Sequence, residues 1–444
     1  MPRYKNVIEV EGNYGPLIPT KLFHHQTQTR HVASGRYDLV KPLTVHLAPT
    51  LLCNHRCFFC TYGGCKSGRL ANNQEEGVSG KKEMPLDMLK RIVDELAEVG
   101  TKGVIITGGG EPTAYRHVAA AMAYIKSKGL DVAMNTNGSL LRGETLDGIL
   151  AANPRYIRVS LNAGSDEVHR LTTSLQNFET IAGNIKNAII RRNQLAAQTD
   201  ISVGYVVNTV NVHDIMSFVQ RMARIEEEVR TETGNQETIF SLQLRPVSNY
   251  ESSKHLHEEK ISEVAGYLKA NFGDSYSQEF LAFMHEGTQI SERTLRQAVR
   301  IIEDEAIPFL KSRNSRIQLF YPKQKYLDIP KVRAKPYNRC YVCPFFLFIW
   351  PDGNVYHCIE WAGTPGFEAG NLGRESLLDI LKSDQRFGLL RNIDEQIIHT
   401  RCAPICAHHE MNVILDSLEK TKDKQGMIAQ IRREFPNPRH VNFL

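Results

Sequence analysis

What is scarce in this chain narrows it first. Its 444 residues include only two tryptophans, and neither sign of charge accumulates: 54 Lys and Arg stand against 49 Asp and Glu, a net +5. So mild an excess, spread along the chain, offers no basic face for a polyanion and argues against nucleic acid as a partner. Long apolar runs are missing too. The longest, Pro344 to Trp350, falls far short of the roughly 20 residues that cross a bilayer, so no membrane partner is expected. The opening MPRYKNVIEVEGNYGP lacks the apolar stretch of a secretion signal, and a cytoplasmic location follows as the expectation. No repeat or low-complexity tract interrupts the chain. What remains is ordinary for a globular protein: 41% apolar and 23% charged residues, in a chain long enough for a barrel-sized domain and a smaller one.

From Pro42 onward, short apolar runs alternate with amphipathic stretches. The pattern predicts strands at 43–47, 103–107, 131–135, 156–162, 201–207 and 239–246. Helices fall between them at 86–99, 118–128, 143–151, 178–191 and 213–228. Six strand-and-crossover units make an α/β fold with a parallel sheet and helices outside, too few for a full eight-strand barrel. The expected organisation is an N-terminal extension (1–42), a barrel (43–250), a charged helical connector (251–335), a cysteine-bearing α+β domain (336–410), and a C-terminal helix and tail (411–444). His24, His25 and His31 read as capping or surface residues. The tail ends in Phe443-Leu444, oddly apolar for a free terminus, and is expected to dock on the barrel and help close the active site.

Nine cysteines in a chain without an export signal point to metal or redox work. Three sit in eight residues, Cys53-Asn-His-Arg-Cys57-Phe-Phe-Cys60, directly after the first strand. Three thiolates on a tight loop can ligate three irons of a [4Fe–4S] cluster and leave the fourth open to a cofactor or substrate. Phe59 could lie flat against a purine ring. The loop resembles the cluster loop of the radical S-adenosylmethionine (radical SAM) superfamily. That resemblance implies a SAM-binding [4Fe–4S] cluster on Cys53, Cys57 and Cys60, SAM itself, and an open partial (β/α)6 TIM-like barrel. It also implies the chemistry: reductive cleavage of SAM to a 5′-deoxyadenosyl radical that abstracts a hydrogen.

In parallel α/β sheets ligands bind beyond the carboxyl ends of the strands. The run Gly108-Gly109-Gly110-Glu111 after the second strand resembles the family's GGE element, which contacts the amino group of SAM's methionine part. Glycines admit close backbone approach, and the Glu111 carboxylate suits an ammonium. Asn137 follows the third strand. Arg158-Val-Ser160-Leu-Asn162 looks like the family's ribose-binding strand, and Val203 to Val207 resembles the strand backing the adenine. Arg245, ending the sixth strand, could pair with a carboxylate of SAM or of substrate.

Five further cysteines form a second set. Cys340 and Cys343 precede a predicted hairpin with a Pro351-Asp352-Gly353 turn, Cys358 follows it, and Cys402 and Cys406 come later. The arrangement resembles the SPASM and twitch auxiliary-cluster domains. With five cysteines, one auxiliary [4Fe–4S] cluster of the shorter type is favoured, held by Cys340, Cys358, Cys402 and Cys406, with Cys343 spare. A rival set of Cys340, Cys343 and Cys358 would leave an iron open for substrate, and a four-cysteine zinc site would use the same pairs. His408 and His409 read as cap or surface residues. Cys65 is either inert or a hydrogen donor to a substrate radical.

The expected substrate is a small polar metabolite, such as an amino sugar, sugar nucleotide or nucleoside, undergoing oxidation, epimerisation or dehydration. Reduction would come from a donor such as flavodoxin or ferredoxin. Only 42 residues precede the first strand, fewer than the ~80–90 of a leader-recognition domain, so maturation of a ribosomally made peptide is the second expectation. A plain iron–sulfur electron carrier or zinc-binding interaction protein is the reading from another class, and would need Cys65 as a fourth ligand.

Overall fold

A computed structural model describes residues 19–60, 62, 83–234, 238–248, 256–327, 335–400, 402–403 and 405–444. The six predicted strands are present as β1 (Thr44–Leu47), β2 (Gly103–Ile106), β3 (Asp131–Thr136), β4 (Tyr156–Ser160), β5 (Asp200–Val207) and β6 (Ser241–Pro246). All pair in parallel, each with its sequence neighbour. Between them run α1 (Leu86–Val99), α2 (Val118–Ser127), α3 (Gly143–Ala151), α4 (Asp166–Thr173), α5 (Phe178–Gln194) and α6 (Ile215–Thr233). Strand side chains alternate between faces. Val104 and Ile106, Val132 and Met134, and Ile157 and Val159 pack outward into one core with the buried stripes of the helices, such as Leu89, Ile92, Val93 and Leu96. Thr107, Asn135, Ser160 and Gly204 fall on the inner face.

The sheet does not stop where the sequence suggested. A seventh strand, β7 (Gln318–Phe320), lies inside the stretch expected to be a purely helical connector and pairs in parallel with β6. At the opposite edge, β8 (Phe346–Ile349), expected in a separate domain, pairs in parallel with β1. The hairpin then turns through β9 (Asn354–Tyr356) to β10 (Gly370–Asn371), so one open sheet runs β10-β9-β8-β1-β2-β3-β4-β5-β6-β7. The partial α/β barrel stands, extended at both edges by chain assigned elsewhere. No described helix is long and apolar enough to cross a membrane.

The tail docks, but at the wrong end for closing an active site. Phe443 is buried against Ile105, Ala133 and Tyr156, beneath the amino ends of the strands. The Thr44 hydroxyl donates to the Asn442 carbonyl at 3.0 Å, and Asn442 Nδ2 donates to Asp131 at 2.7 Å. Arg439 and His440 both engage Asp200, His440 at 2.9 Å. His24 and His25, far from being idle surface residues, hold the Phe435 and Val441 carbonyls at 3.0 and 3.2 Å. An apolar side chain is what this position selects, because an open barrel leaves the inner face of its strand starts uncovered.

Candidate active site

The cysteine loop leaves β1 over the carboxyl ends of the strands and is pinned from three directions. Arg56 and Phe58 donate their backbone N–H groups to the Thr173 and Thr172 carbonyls at the end of α4. Asn54 donates to Ser139 at 2.8 Å and accepts from Asn137 Nδ2 at 2.8 Å. The Glu111 N–H donates to the Leu52 carbonyl at 2.7 Å. That last contact explains the glycine before it: a Cβ on Gly110 would lie 2.2 Å from the Leu52 oxygen. Cys53 is exposed and Cys57 and Cys60 half-buried. Burial, then the neighbouring Cys60 and Cys53, pushes the Cys57 thiol well above its usual range.

Glu111 is buried beneath this loop. Oε1 accepts from the Thr113 N–H and hydroxyl and from the Thr136 hydroxyl; Oε2 accepts only from the Asn137 N–H, at 2.6 Å. No cation pairs with it among the described residues. Burial therefore raises it above the ordinary carboxylate value despite four donors. An ammonium against Oε2 would supply the missing charge, so the site fits the amino group of SAM's methionine part.

The other predicted residues divide. Ser160 faces the lumen, half-buried, with a hydroxyl that has no partner among the described residues. Asn162 is a strut: its Oδ1 accepts the Val206 N–H at 2.7 Å, and its carbonyl accepts from Asn211. Asn137 serves the cysteine loop and caps Ser139 rather than facing the lumen. Asn135, two residues earlier, is the lumen residue; its Nδ2 donates to Thr107 while its buried Oδ1 has no partner among the described residues. Period-two alternation along β3 could have found it. Phe59 is buried edge-on to Phe58, 5.1 Å between centroids and 89° apart, rather than presenting a flat open face. Arg245 projects from the inner face of β6 and is exposed, between buried Leu244 and Pro246. Gly109 takes a positive φ of 112° with Leu51 and Thr50 close above its α-carbon. Cys65 lies outside the described residues.

The second cysteine set converges. Cys340, Cys343, Cys358, Cys402 and Cys406 line one cavity with Tyr337, His357, His408 and Asn412. Cys343, the cysteine that spacing leaves over, is not set apart: it is buried, and its thiol bonds both Cys340 and Cys358, which together with burial raises it far above the usual thiol range. Cys406 accepts the His408 N–H, and Cys340 accepts from Asn412 Nδ2 at 3.7 Å. His408 and His409 are not surface residues. His409 is buried and shares a 3.1 Å hydrogen bond with the Tyr337 hydroxyl, while His408 packs on Phe346, which in turn packs on His46 of β1. The cavity thus adjoins the barrel lumen through a short file of rings. His357 is held neutral, pushed down to about 3 by burial and by Arg386, with Nδ1 near the Cys343 and Phe346 carbonyls.

Comparison with known proteins agrees with this geometry. Residues 47–220 match the radical SAM superfamily, and residues 340–408 match the iron–sulfur cluster-binding SPASM domain. A probable GTP 3′,8-cyclase of Thermococcus kodakarensis is 25% identical over 203 residues, 45% of this chain and 61% of that protein. An Fe-coproporphyrin III synthase of Methanosarcina barkeri is 27% identical over 168 residues, 37% of each chain. The chain thus spans less than two thirds of these relatives. Among solved structures, SuiB of Streptococcus suis bound to the precursor peptide SuiA superposes with a TM-score of 0.54 at 16% identity, covering 89% of this chain and 77% of that one. anSMEcpe with bound AdoMet gives 0.52 at 11% identity, covering 88% of this chain and 100% of that one. These two likenesses are of fold. The domains imply a [4Fe–4S] cluster, SAM and an auxiliary iron–sulfur cluster as cofactors.

Proposed function

The chain is a radical SAM enzyme with a C-terminal SPASM domain, and on that premise we propose that it removes a hydrogen atom from a small polar metabolite and oxidises it. Amino sugars, sugar nucleotides and nucleosides are the candidate class. When bound at Cys53, Cys57 and Cys60, the cluster with SAM supplies a 5′-deoxyadenosyl radical, and the protein's part is to hold and shield the reactants. In this reading Glu111 and the backbone of Gly109 and Gly110 hold the amino-acid end of SAM. Ser160 and Asn135 offer polar groups to the ribose, and Asn162 fixes the β5 backbone beside it. A flavodoxin or ferredoxin is the proposed electron donor.

The observation that carries the oxidation is the gathering of five thiols in one cavity beside the lumen. Cys340, Cys358, Cys402 and Cys406 suffice to close an auxiliary [4Fe–4S] cluster, and a closed cluster takes up electrons rather than substrate. Iron and sulfide analysis after anaerobic reconstitution tests this. About eight irons in the wild type and about four in a Cys53/Cys57/Cys60 triple alanine variant are expected. Only the wild type should form 5′-deoxyadenosine. About four irons in the wild type and none in the variant would remove the proposed electron acceptor.

A further inference from the structure

The barrel lumen carries positive charge that nothing in the described structure balances. Arg158 of β4 points inward, its stem crossing the face of Gly204, where a Cβ would lie 3.7 Å from the arginine Cδ. Its Nη1 reaches the Gln243 side-chain oxygen at 3.3 Å, a neutral partner. Arg245, two residues beyond Gln243 on the same strand face, is exposed to the lumen. Neither arginine makes an ion pair with a carboxylate among the described residues. The charged groups acting on Arg158 are Arg245 and the Tyr156 phenol; those acting on the buried Lys21 and on His46 include Arg158 again, and for His46 also Arg245 and His408. His46 keeps a buried Nδ1 without a partner among the described residues. Burial and then Arg245 bring Arg158 down to about 10, which leaves it charged at neutral pH.

Half-buried Arg158 has only a neutral partner, and Arg245 beside it adds like charge, so this wall is electropositive with no counter-charge among the described residues. Some buried charges of this chain are paired, Asp200 with Arg439 and His440 and Lys325 with Glu410 at 3.2 Å, while buried Arg386 is held by neutral groups alone among the described residues. We propose that Arg158 and Arg245 are the specificity residues of the substrate chamber, binding an oxyanion of the substrate, a phosphate ester or a carboxylate. The planar guanidinium fork suits either group. SAM's own carboxylate is the other anion available. It sits on the same carbon as the amino group assigned to Glu111, which is bonded to the end of β3; Arg158 on β4 is one strand spacing away, but Arg245 on β6 is three, about 14 Å along the sheet. That separation favours the substrate as the owner of an anion shared by the two arginines. The inference rests on the radical SAM reading of the lumen, and narrows the metabolite to an acidic one.

The test needs no turnover. Reconstituted enzyme saturated with SAM would be dialysed to equilibrium against inorganic pyrophosphate and, separately, succinate, at fixed ionic strength. Binding of either probe, weakened at least tenfold in both Arg158→Gln and Arg245→Gln and partly restored in Arg245→Lys, is the expected result. Pyrophosphate alone would point to a phosphate ester, succinate alone to a carboxylate; each supports the proposal. SAM affinity should stay within threefold of wild type in both Gln variants, and the exposed Arg313→Gln should bind the probe normally. Binding of neither probe, equal binding by all variants, or a loss of SAM affinity in place of probe affinity would overturn it. The absence of 5′-deoxyadenosine from the wild type would instead sink the radical SAM reading, and is measured separately.

Discussion

Gly110 shows how one missing side chain can decide a cofactor site. The turn after β2 must pass directly beneath the backbone of the cysteine loop, and a methyl group there would collide with the Leu52 carbonyl at 2.2 Å. Backbone on both sides cannot yield as a flexible side chain would. Gly110→Ala is therefore expected to displace the loop and lower the iron content by about four per chain, with the auxiliary cluster retained. Full iron content in that variant would show that the contact is not needed. The same scale explains which asparagine matters. Asn137 carries the more conspicuous Asn-Gly signal, yet its side chain is consumed in holding Asn54, while Asn135 keeps on the inner face a buried oxygen with no partner among the described residues.

Among the elements, the C-terminal segment is the one whose role changes most once its position is known. Phe443 fills the floor of the barrel, so Phe443→Ala should cost about 3 kcal/mol of stability through the cavity it leaves, measurable as a lowered unfolding midpoint. The segment is also held by charge. Burial raises Asp200, but the bonds from His440 and Arg439 outweigh it and leave the carboxyl below its ordinary value. Burial lowers His440, and Asp200 only partly restores it. Both shifts mean that the folded state binds fewer protons than the unfolded one, so their stabilisation is present at neutral pH and lost on acidification. For His440 the loss begins below about pH 6.5, and for Asp200 lower still. Lower protection of residues 439–444, with exchange taken relative to the intrinsic rate at each pH, is expected at pH 5 than at pH 7.5, and equal protection at both would count against the charged clasp.

For the whole molecule, the parallel pairing of β8 with β1 makes the auxiliary domain part of the barrel sheet. Removing residues 336–444 would strip β1 of its neighbour and expose an edge with unpaired backbone groups and buried apolar neighbours, the arrangement that drives aggregation. Such a truncation is expected to be insoluble or to lose its remaining cluster; a soluble fragment holding about four irons would show two separable domains. The alternation of strands and helices and the cysteine spacing were legible in the sequence, because each is set by local periodicity or by ligand geometry within one loop. Pairings between distant segments were not: β8 with β1, β7 with β6, and Phe443 with Ile105 and Ala133. Sequence by itself pointed to the radical SAM superfamily, since three thiolates at that spacing after a strand serve few other ends, and residues 47–220 match its family model. Only the tertiary structure decided where the tail lies, which asparagine faces the lumen, and that Arg158 and Arg245 share one face without a carboxylate partner among the described residues. Those outcomes depend on the closing curvature of the sheet, which brings residues from β1, β4, β6 and β8 around one volume that no local pattern encodes.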